Sequence, residues 1–187
     1  MTKLVVFDLD GTLYNSGNSF ISAVKKILNE YNLEIPSNDF IFSFIGEPNH
    51  IFYDWLKSLA INETYKALDI KFNQYELEAV ENYGHLYNSV YEVFDWLKLN
   101  GYTIGLCTNA SKLYLEKVLS KFKLEKYFSV IKYPLNSNET KSEMLLSIKE
   151  EFKPIFAYMI GDRKHDFQAA KDNNFISVGV SYGYGKS

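Results

Sequence analysis

The sequence predicts an α/β fold, in which a Rossmann-like, doubly wound parallel β-sheet is interrupted by an inserted α-helical domain. Three observations support this prediction. From residue 90 onward, short apolar runs alternate with helical periodicities. These runs are apolar throughout, as is typical of parallel strands that are buried on both faces. A long stretch of helical periodicity also separates the first apolar run from the second, so we expect an insertion into the sheet domain.

The predicted strands are short, and the first comes at the N-terminus directly before an acidic turn. They are Lys3 to Leu9, Tyr102 to Thr108, Phe128 to Ile131, Ile155 to Ile160 and Ile176 to Val180. Between the later strands, apolar residues recur with the i, i+3, i+4, i+7 spacing of amphipathic helices. The three sets are Val90, Val93, Phe94 and Leu97; Leu115, Val118, Leu119 and Phe122; and Met144, Leu145, Ile148 and Phe152.

The stretch from residue 15 to residue 88 has a different character from the rest of the chain. It is dominated by helical periodicity, and Pro36 and Gly46-Glu47-Pro48 interrupt it. One such periodic set is Phe20, Ala23, Val24, Ile27, Leu28 and Tyr31. We therefore predict an α/β core domain formed by residues 1–14 and 89–187, and a helical domain formed by residues 15–88.

Composition restricts the class of protein. The 187 residues are 47% hydrophobic, enough for a sizeable core, and the formal net charge is −3. This charge offers no basic surface for nucleic acid, and no apolar run approaches the roughly 20 residues of a membrane span. Cys107 is the only cysteine, and the N-terminus lacks the zones of a signal peptide. We expect a cytoplasmic monomer or homodimer without nucleic-acid or membrane partners.

The stretch VVFDLDGT places two carboxylates, Asp8 and Asp10, at the end of the first predicted strand. Residues two apart on an extended strand share a face, and Gly11 permits a tight turn directly after them. Two adjacent carboxylates repel each other unless a cation lies beside them. Mg²⁺ suits this position because it prefers oxygen ligands and shares them with phosphate. The alternative is a strand-to-turn junction with solvated acids.

Polar residues also follow two later strands, at the edge of the sheet where the first strand ends. Thr108 and Asn109 follow the second strand and could hydrogen-bond a phosphate oxygen. Lys141 precedes the fourth strand and could neutralise a phosphate, while Asp162 and Asp166 follow that strand. Simpler alternatives exist for these residues: Asn109 or Ser111 as a helix N-cap, Lys141 as a solvated lysine, and the two aspartates as acids at a helix N-terminus.

Together these residues resemble the four motifs of the haloacid dehalogenase (HAD) superfamily of phosphotransferases. The motifs are DLDGT at the first strand, Thr108 after the second, Lys141, and GDRKHD from Gly161 to Asp166. The insertion is similar to the helical cap of that superfamily. The closing VGVSYGYG resembles the phosphoglycolate phosphatase-like branch.

The resemblance implies a catalytic role for the first motif. Asp8 would attack phosphorus and form an aspartyl-phosphate. Asp10 would be the general acid and base for the leaving oxygen and the attacking water. The implied cofactor is Mg²⁺, bound by the Asp8 carboxylate, the Asp10 backbone carbonyl and Asp162.

The remaining motif residues are implied to support this chemistry. Thr108, Asn109 and Lys141 would bind the phosphoryl oxygens, and Asp166 would position the metal ligands or Lys141. The intervening Arg163, Lys164 and His165 are interpreted as surface residues. The many aromatic residues between positions 40 and 55 are interpreted as core and lid packing.

We therefore predict that the protein is an enzyme, a Mg²⁺-dependent phosphatase that hydrolyses a small phosphate monoester. Phosphoglycolate is the leading candidate for its substrate. One alternative is a sugar-phosphate mutase that uses the same residues but passes the phosphoryl group to a sugar. Another is a phosphate-binding module without catalysis. An acid two residues after a nucleophile argues against this last alternative, because binding alone does not need it.

Overall fold

The computed structural model describes residues 2–59 and 64–185. The strands in this part of the chain are β1 (Lys3–Phe7), β2 (Tyr14–Asn15), β3 (His85–Leu86), β4 (Tyr102–Cys107), β5 (Val130–Lys132), β6 (Phe156–Gly161) and β7 (Ile176–Gly179). The α-helices are α1 (Gly17–Glu30), α2 (Asn38–Phe42), α3 (Asn49–Ser58), α4 (Thr64–Tyr83), α5 (Val90–Leu99), α6 (Lys112–Phe122), α7 (Lys141–Phe152) and α8 (Lys164–Asp172).

Five strands form one sheet in the order β5-β4-β1-β6-β7, and every neighbouring pair is parallel. The central strand β1 pairs with β4 on one side and β6 on the other, so the chain order reverses at β1. This architecture confirms the predicted α/β fold with a parallel sheet. The reversal opens a crevice at the carboxyl end of β1, where such sheets bind ligands.

The alternation of side chains along β1 explains why helices cover both faces of the sheet. Val5 and Phe7 point to one face, where they pack with residues of α5 and α6. Leu4 and Val6 point to the other face, where they pack with residues of α7 and α8. A strand with apolar residues on both sides can be buried only if both sides are covered.

The strand and helix limits differ from the prediction in a few places. Strand β1 ends at Phe7 rather than Leu9, because the Leu9 carbonyl accepts hydrogen bonds from the backbone N–H groups of Leu13 and Tyr14 at 2.9 Å. Asp8 and Asp10 therefore lie on a compact loop rather than on an extended strand. Val93, which fits the helical spacing of α5, is 44% exposed, whereas Phe94 is buried.

Helices α1 to α4 lie between β2 and β3 and bury their own apolar cluster, which includes Val24, Ile27, Leu56 and Phe72. The antiparallel pair formed by β2 and β3 joins the beginning and end of this insertion. The boundaries 15 and 88 fall close to this pair, and the division into two domains stays a prediction. No helix of the described residues is long and apolar enough to cross a bilayer.

Candidate active site

The structure brings the predicted site residues together at the carboxyl end of the sheet. Asp8 follows β1, Thr108 follows β4 and Asp162 follows β6. Lys141 is the first residue of α7, and Asp166 lies in the first turn of α8. The buried polar residues here are Asp8, Asp10, Thr108, Asn109, Lys141, Asp162 and Asp166. Groups of this polarity are seldom buried without partners, so their contacts define the site.

Lys141 lies between two of the aspartates. Its Nζ donates hydrogen bonds of 2.6 Å to Oδ1 of Asp8 and to Oδ1 of Asp166, and all three side chains are almost fully buried. Burial alone lowers the pKa of the Lys141 amine, but the Asp166 and Asp8 carboxylates raise it above its ordinary value. The lysine therefore carries a positive charge at the centre of the site.

Three carboxylates lie close enough together to hold a metal ion. The ligand oxygens of Asp8, Asp162 and Asp166 are all within 4.8 Å of one another. With Lys141 as the neighbouring cation, this group has two net negative charges when ionised. Burial, as the largest cause, raises the pKa of Asp8 well above its ordinary value, and the Lys141 charge opposes that rise.

Two oxygens of this group have no hydrogen-bond partner. Oδ2 of Asp8 and Oδ1 of Asp162 are buried and unpaired in the structure. The other Asp162 oxygen accepts hydrogen bonds from the backbone N–H groups of Tyr184, at 2.5 Å, and Gly185, at 3.1 Å. Because an unpaired buried carboxylate oxygen is costly and Mg²⁺ prefers oxygen ligands, Oδ1 of Asp162 together with the neighbouring Asp8 carboxylate fits a bound Mg²⁺.

Asp10 is not one of the three aspartates whose carboxylates cluster beside Lys141. Its Oδ1 accepts a hydrogen bond of 2.6 Å from the hydroxyl of Tyr114 on α6. Burial raises the pKa of Asp10 to about 6, and the Tyr114 hydrogen bond opposes part of this rise. A carboxyl group that titrates near neutrality can both donate and accept a proton at physiological pH.

Two glycines allow the backbone to approach these carboxylates. Gly11 has a φ of +84°, and a Cβ atom there would lie 2.4 Å from an oxygen of Asp162. A Cβ atom at Gly161 would lie 2.2 Å from Cγ of Asp166. The glycine of the DLDGT motif is thus required both by its left-handed conformation and by the space that Asp162 fills.

Thr108 and Asn109 lie beside Asp10 in the wall of one cavity. Oγ1 of Thr108 accepts a hydrogen bond of 3.1 Å from the Ala110 backbone N–H. Nδ2 of Asn109 donates to the Gly46 carbonyl of the insertion at 3.1 Å. Asn109 thus connects the sheet to the insertion, and the N-cap of α6 is Ser111.

Of the three residues interpreted as surface residues, Lys164 is exposed, whereas Arg163 and His165 are only partly exposed and contact the insertion. The Arg163 guanidinium donates to the backbone carbonyls of Phe42, Ser43 and Ile45 in the insertion. Nε2 of His165 lies 2.9 Å from Oε2 of Glu47, whose Oε1 is 3.9 Å from Arg163. The spacing of the GDRKHD motif contains no signal for these contacts, because their partners lie about 120 positions earlier in the sequence.

Sequence reasoning also missed two residues of the cavity, Tyr114 and Glu76. Both lie on helices and line the same cavity as Asp10. Tyr114 occupies an apolar position of α6 and gives no polar signal. Glu76 is one of several acids of α4, and nothing in the sequence separates it from its exposed neighbour Glu78.

Comparisons with known proteins agree on a family and a fold. The sequence model of a family described as haloacid dehalogenase-like hydrolases matches residues 5–180. The chain is 31% identical over 194 residues to a phosphoglycolate phosphatase from Haemophilus influenzae (strain 86-028NP), and the match covers 97% of this chain and 87% of that protein. It is 29% identical over 182 residues to the pyrophosphatase PpaX from Bacillus mycoides (strain KBAB4), covering 95% of this chain and 83% of that protein.

One solved structure is similar over nearly the whole chain. A predicted phosphoglycolate phosphatase from Haemophilus somnus 129pt superimposes with a TM-score of 0.89 at 26% identity. The match covers 98% of this chain and 87% of that one. The similarity extends through both the sheet and the inserted helices.

Proposed function

Because the chain belongs to the haloacid dehalogenase-like hydrolase family, we propose that it is a Mg²⁺-dependent phosphatase that hydrolyses a small phosphate monoester through an aspartyl-phosphate intermediate. The observation that carries this proposal is the arrangement of Asp8. One of its oxygens is held by Lys141 and the other is buried without a partner. Asp10, two residues later, lies on the adjoining cavity.

In the first step, Oδ2 of Asp8 attacks phosphorus, and the bond from phosphorus to the leaving oxygen breaks. Asp10 gives its proton to that leaving oxygen, so the product is a neutral alcohol. The hydrogen bond from Lys141 to Oδ1 fixes the Asp8 carboxylate and leaves Oδ2 for the attack. Mg²⁺, held by Asp8, Asp162 and the Asp10 backbone carbonyl, would reduce the repulsion between the carboxylate and the phosphate.

In the second step, a water molecule attacks phosphorus, and the bond between phosphorus and Oδ2 of Asp8 breaks. Asp10, now ionised, takes a proton from that water, and inorganic phosphate leaves. We assign Thr108, Asn109 and Lys141 to the phosphoryl oxygens, as the family resemblance implies, and Asp166 to the positioning of Lys141. The 2.6 Å hydrogen bond from Lys141 to Asp166 supports this last assignment.

We assign the insertion, residues 15–88, to the role of a cap that covers the leaving group of the ester. The cavity between the insertion and the sheet has a volume of about 60 Å³. By the same measure one water molecule needs about 10 to 15 Å³, so this cavity has room for several non-hydrogen atoms, as in the leaving group of a small ester. Phosphoglycolate, for which the similar enzymes are named, is the first ester to test.

The test is phosphate release from a panel of small phosphate monoesters, with Mg²⁺ and with EDTA. We expect wild-type release to require Mg²⁺, and Asp8→Asn to reduce it by about 10³-fold or more, because the amide cannot act as the nucleophile. Asp95→Asn is the matched control, because it makes the same chemical change at an exposed position of α5. Its activity should equal that of the wild type.

Two results would contradict the proposal. Undiminished release by Asp8→Asn would exclude Asp8 as the nucleophile. Transfer of the phosphoryl group to a hexose hydroxyl, with no inorganic phosphate formed, would identify a mutase instead.

A further inference from the structure

The cavity of the proposed active site contains a carboxylate that the phosphatase mechanism does not use. Glu76, on α4, lines the same cavity as Asp10, Thr108 and Asn109. It is half-buried, and it makes no hydrogen bond or ion pair with any residue that the structure describes. The side chain is therefore available to a molecule that enters the cavity.

The cavity that Glu76 lines is rich in acidic residues. Its acidic lining residues are Asp10, Glu47 and Glu76, and none of its lining residues within the described ranges is a lysine or arginine. Asp10 is paired with Tyr114, and Glu47 is paired with His165. Among the described residues, Glu76 thus remains as the acidic side chain of this cavity without a partner.

The environment of Glu76 opposes its ionisation. Burial and the nearby Asp10 carboxylate raise the pKa of Glu76 to about 8. A positively charged group in the cavity would counter both effects, because it would pair with Glu76 and offset the charge of Asp10. A further carboxylate in the cavity would instead raise the pKa of Glu76 more, because it would add another negative charge.

Aromatic rings form the remainder of the wall near Glu76. Phe20, Phe44, Phe52 and Phe72 line the cavity, and the Phe52 and Phe72 ring centroids are 4.6 Å apart. The faces of such rings attract cations, most strongly when water is excluded. A carboxylate combined with aromatic rings is a chemical environment suited to an ammonium group.

We propose that Glu76 selects a small phosphate ester whose leaving group carries a protonated amine. The inference rests on the proposed phosphatase function and names the substrate class of that site. The phosphate group lies at Asp8 and Lys141, and the ammonium group pairs with Glu76 in the cavity that Asp10 also lines. A leaving group that ends in a carboxylate, as in phosphoglycolate, would face Glu76 without any cation among the described lining residues.

The experiment compares three esters of similar size that differ in the charge of the leaving group: 2-aminoethyl phosphate, 2-hydroxyethyl phosphate and phosphoglycolate. We expect the wild type to have its highest kcat/KM with the amine. Glu76→Gln should lower kcat/KM for the amine by about 10- to 100-fold, because a hydrogen-bonded charge pair is lost. It should leave the value for 2-hydroxyethyl phosphate nearly unchanged.

Glu78→Gln is the matched control, because it removes an acid two residues away on the exposed side of α4. Its preference among the three esters should equal that of the wild type. Preference of the wild type for phosphoglycolate or 2-hydroxyethyl phosphate, or an unchanged preference in Glu76→Gln, would overturn the inference while leaving the phosphatase intact.

A binding measurement separates this inference from the proposed function. If the wild type releases phosphate from no ester, the phosphatase proposal fails, and calorimetry on the wild type with the same three esters decides the role of Glu76. Tighter binding of 2-aminoethyl phosphate that is lost in Glu76→Gln would support it. Equal binding of the three esters would overturn it.

Discussion

At the scale of single residues, the hydrogen bond between Tyr114 and Asp10 controls the proposed acid and base. Oη of Tyr114 is 2.6 Å from Oδ1 of Asp10, and both groups are buried. A donor at this distance favours the ionised carboxylate and therefore lowers its pKa, while burial raises it. The balance between these effects brings the pKa of Asp10 to about 6.

We predict that Tyr114→Phe shifts the pH dependence of phosphate release. Loss of the hydrogen bond raises the pKa of Asp10, by about one unit for a hydrogen bond to a charged group. The first step requires protonated Asp10, so kcat/KM falls as the pH rises through this pKa. The falling limb of the pH profile of kcat/KM should therefore move to higher pH in the variant.

Tyr14→Phe provides the control for this measurement. The Tyr14 hydroxyl is also buried, but its hydrogen-bond partner, at 3.2 Å, is Ser19 Oγ rather than Asp10. Its pH profile should match that of the wild type. An unmoved falling limb in Tyr114→Phe would mean that Asp10 does not set this limb.

At the scale of secondary-structure elements, the loop that precedes α8 and the first turn of α8 hold the insertion against the sheet. Arg163 donates to three carbonyls at the end of α2 and in the loop that follows it, and His165 pairs with Glu47 of the same loop. Burial raises the pKa of Glu47, but the hydrogen bond from His165 and the charges of His165, Lys164 and Arg163 bring it below its ordinary value. The Glu47 side chain is therefore an anion in these contacts.

We predict that Glu47→Gln loosens the loop between α2 and α3 and these two helices. The amide keeps the shape of the side chain but loses its charge, and a partly buried ion pair contributes about 1 kcal/mol. Hydrogen exchange of backbone amides in residues 38–58 should accelerate by about fivefold, since these helices open locally from the sheet. Mass spectrometry of peptides from this region measures the change.

Asp54→Asn serves as the control for the exchange measurement. Asp54 lies on α3, is exposed, and forms no ion pair with the described residues. Exchange in residues 38–58 should match the wild type in this variant. Equal exchange in Glu47→Gln and the wild type would show that the ion pair does not hold the insertion in place.

How well the elements could be predicted from the sequence depended on where their partners lie. The parallel strands and the meeting of Asp8, Thr108 and Asp162 followed from local patterns, because the carboxyl ends of parallel strands lie at one edge. Tyr114 and Glu76 could not be found in this way. Their polar groups reach the site from helices whose positions depend on packing between residues distant in sequence, and their spacing is that of ordinary helical residues.

At the scale of the whole molecule, the site draws together segments from both ends of the chain. The C-terminal backbone at Tyr184 and Gly185 binds one oxygen of Asp162. The Tyr184 hydroxyl accepts a hydrogen bond of 2.7 Å from the Gly17 N–H at the start of the insertion. The cluster of three carboxylates, Asp8, Asp162 and Asp166, thus connects the sheet, the insertion and the C-terminal segment. The balance of charges in this cluster therefore affects the stability of the whole fold.

We predict that Mg²⁺ raises the melting temperature of the protein and that EDTA reverses the effect. Asp8, Asp162 and Asp166 have two uncompensated negative charges when ionised, and a bound divalent cation removes their repulsion. At a concentration 100 times its Kd, a ligand adds about 2.7 kcal/mol to the free energy of unfolding, which raises the melting temperature by about 5 to 10 °C for a chain of this size.

Asp162→Asn should lose most of this increase in melting temperature. Asp172→Asn, which changes an exposed carboxylate of α8, should keep it. A wild-type melting temperature that is the same in Mg²⁺ and in EDTA would contradict a metal site at these carboxylates. An equal increase in Asp162→Asn would exclude Asp162 as a ligand, because the cation would then be bound elsewhere.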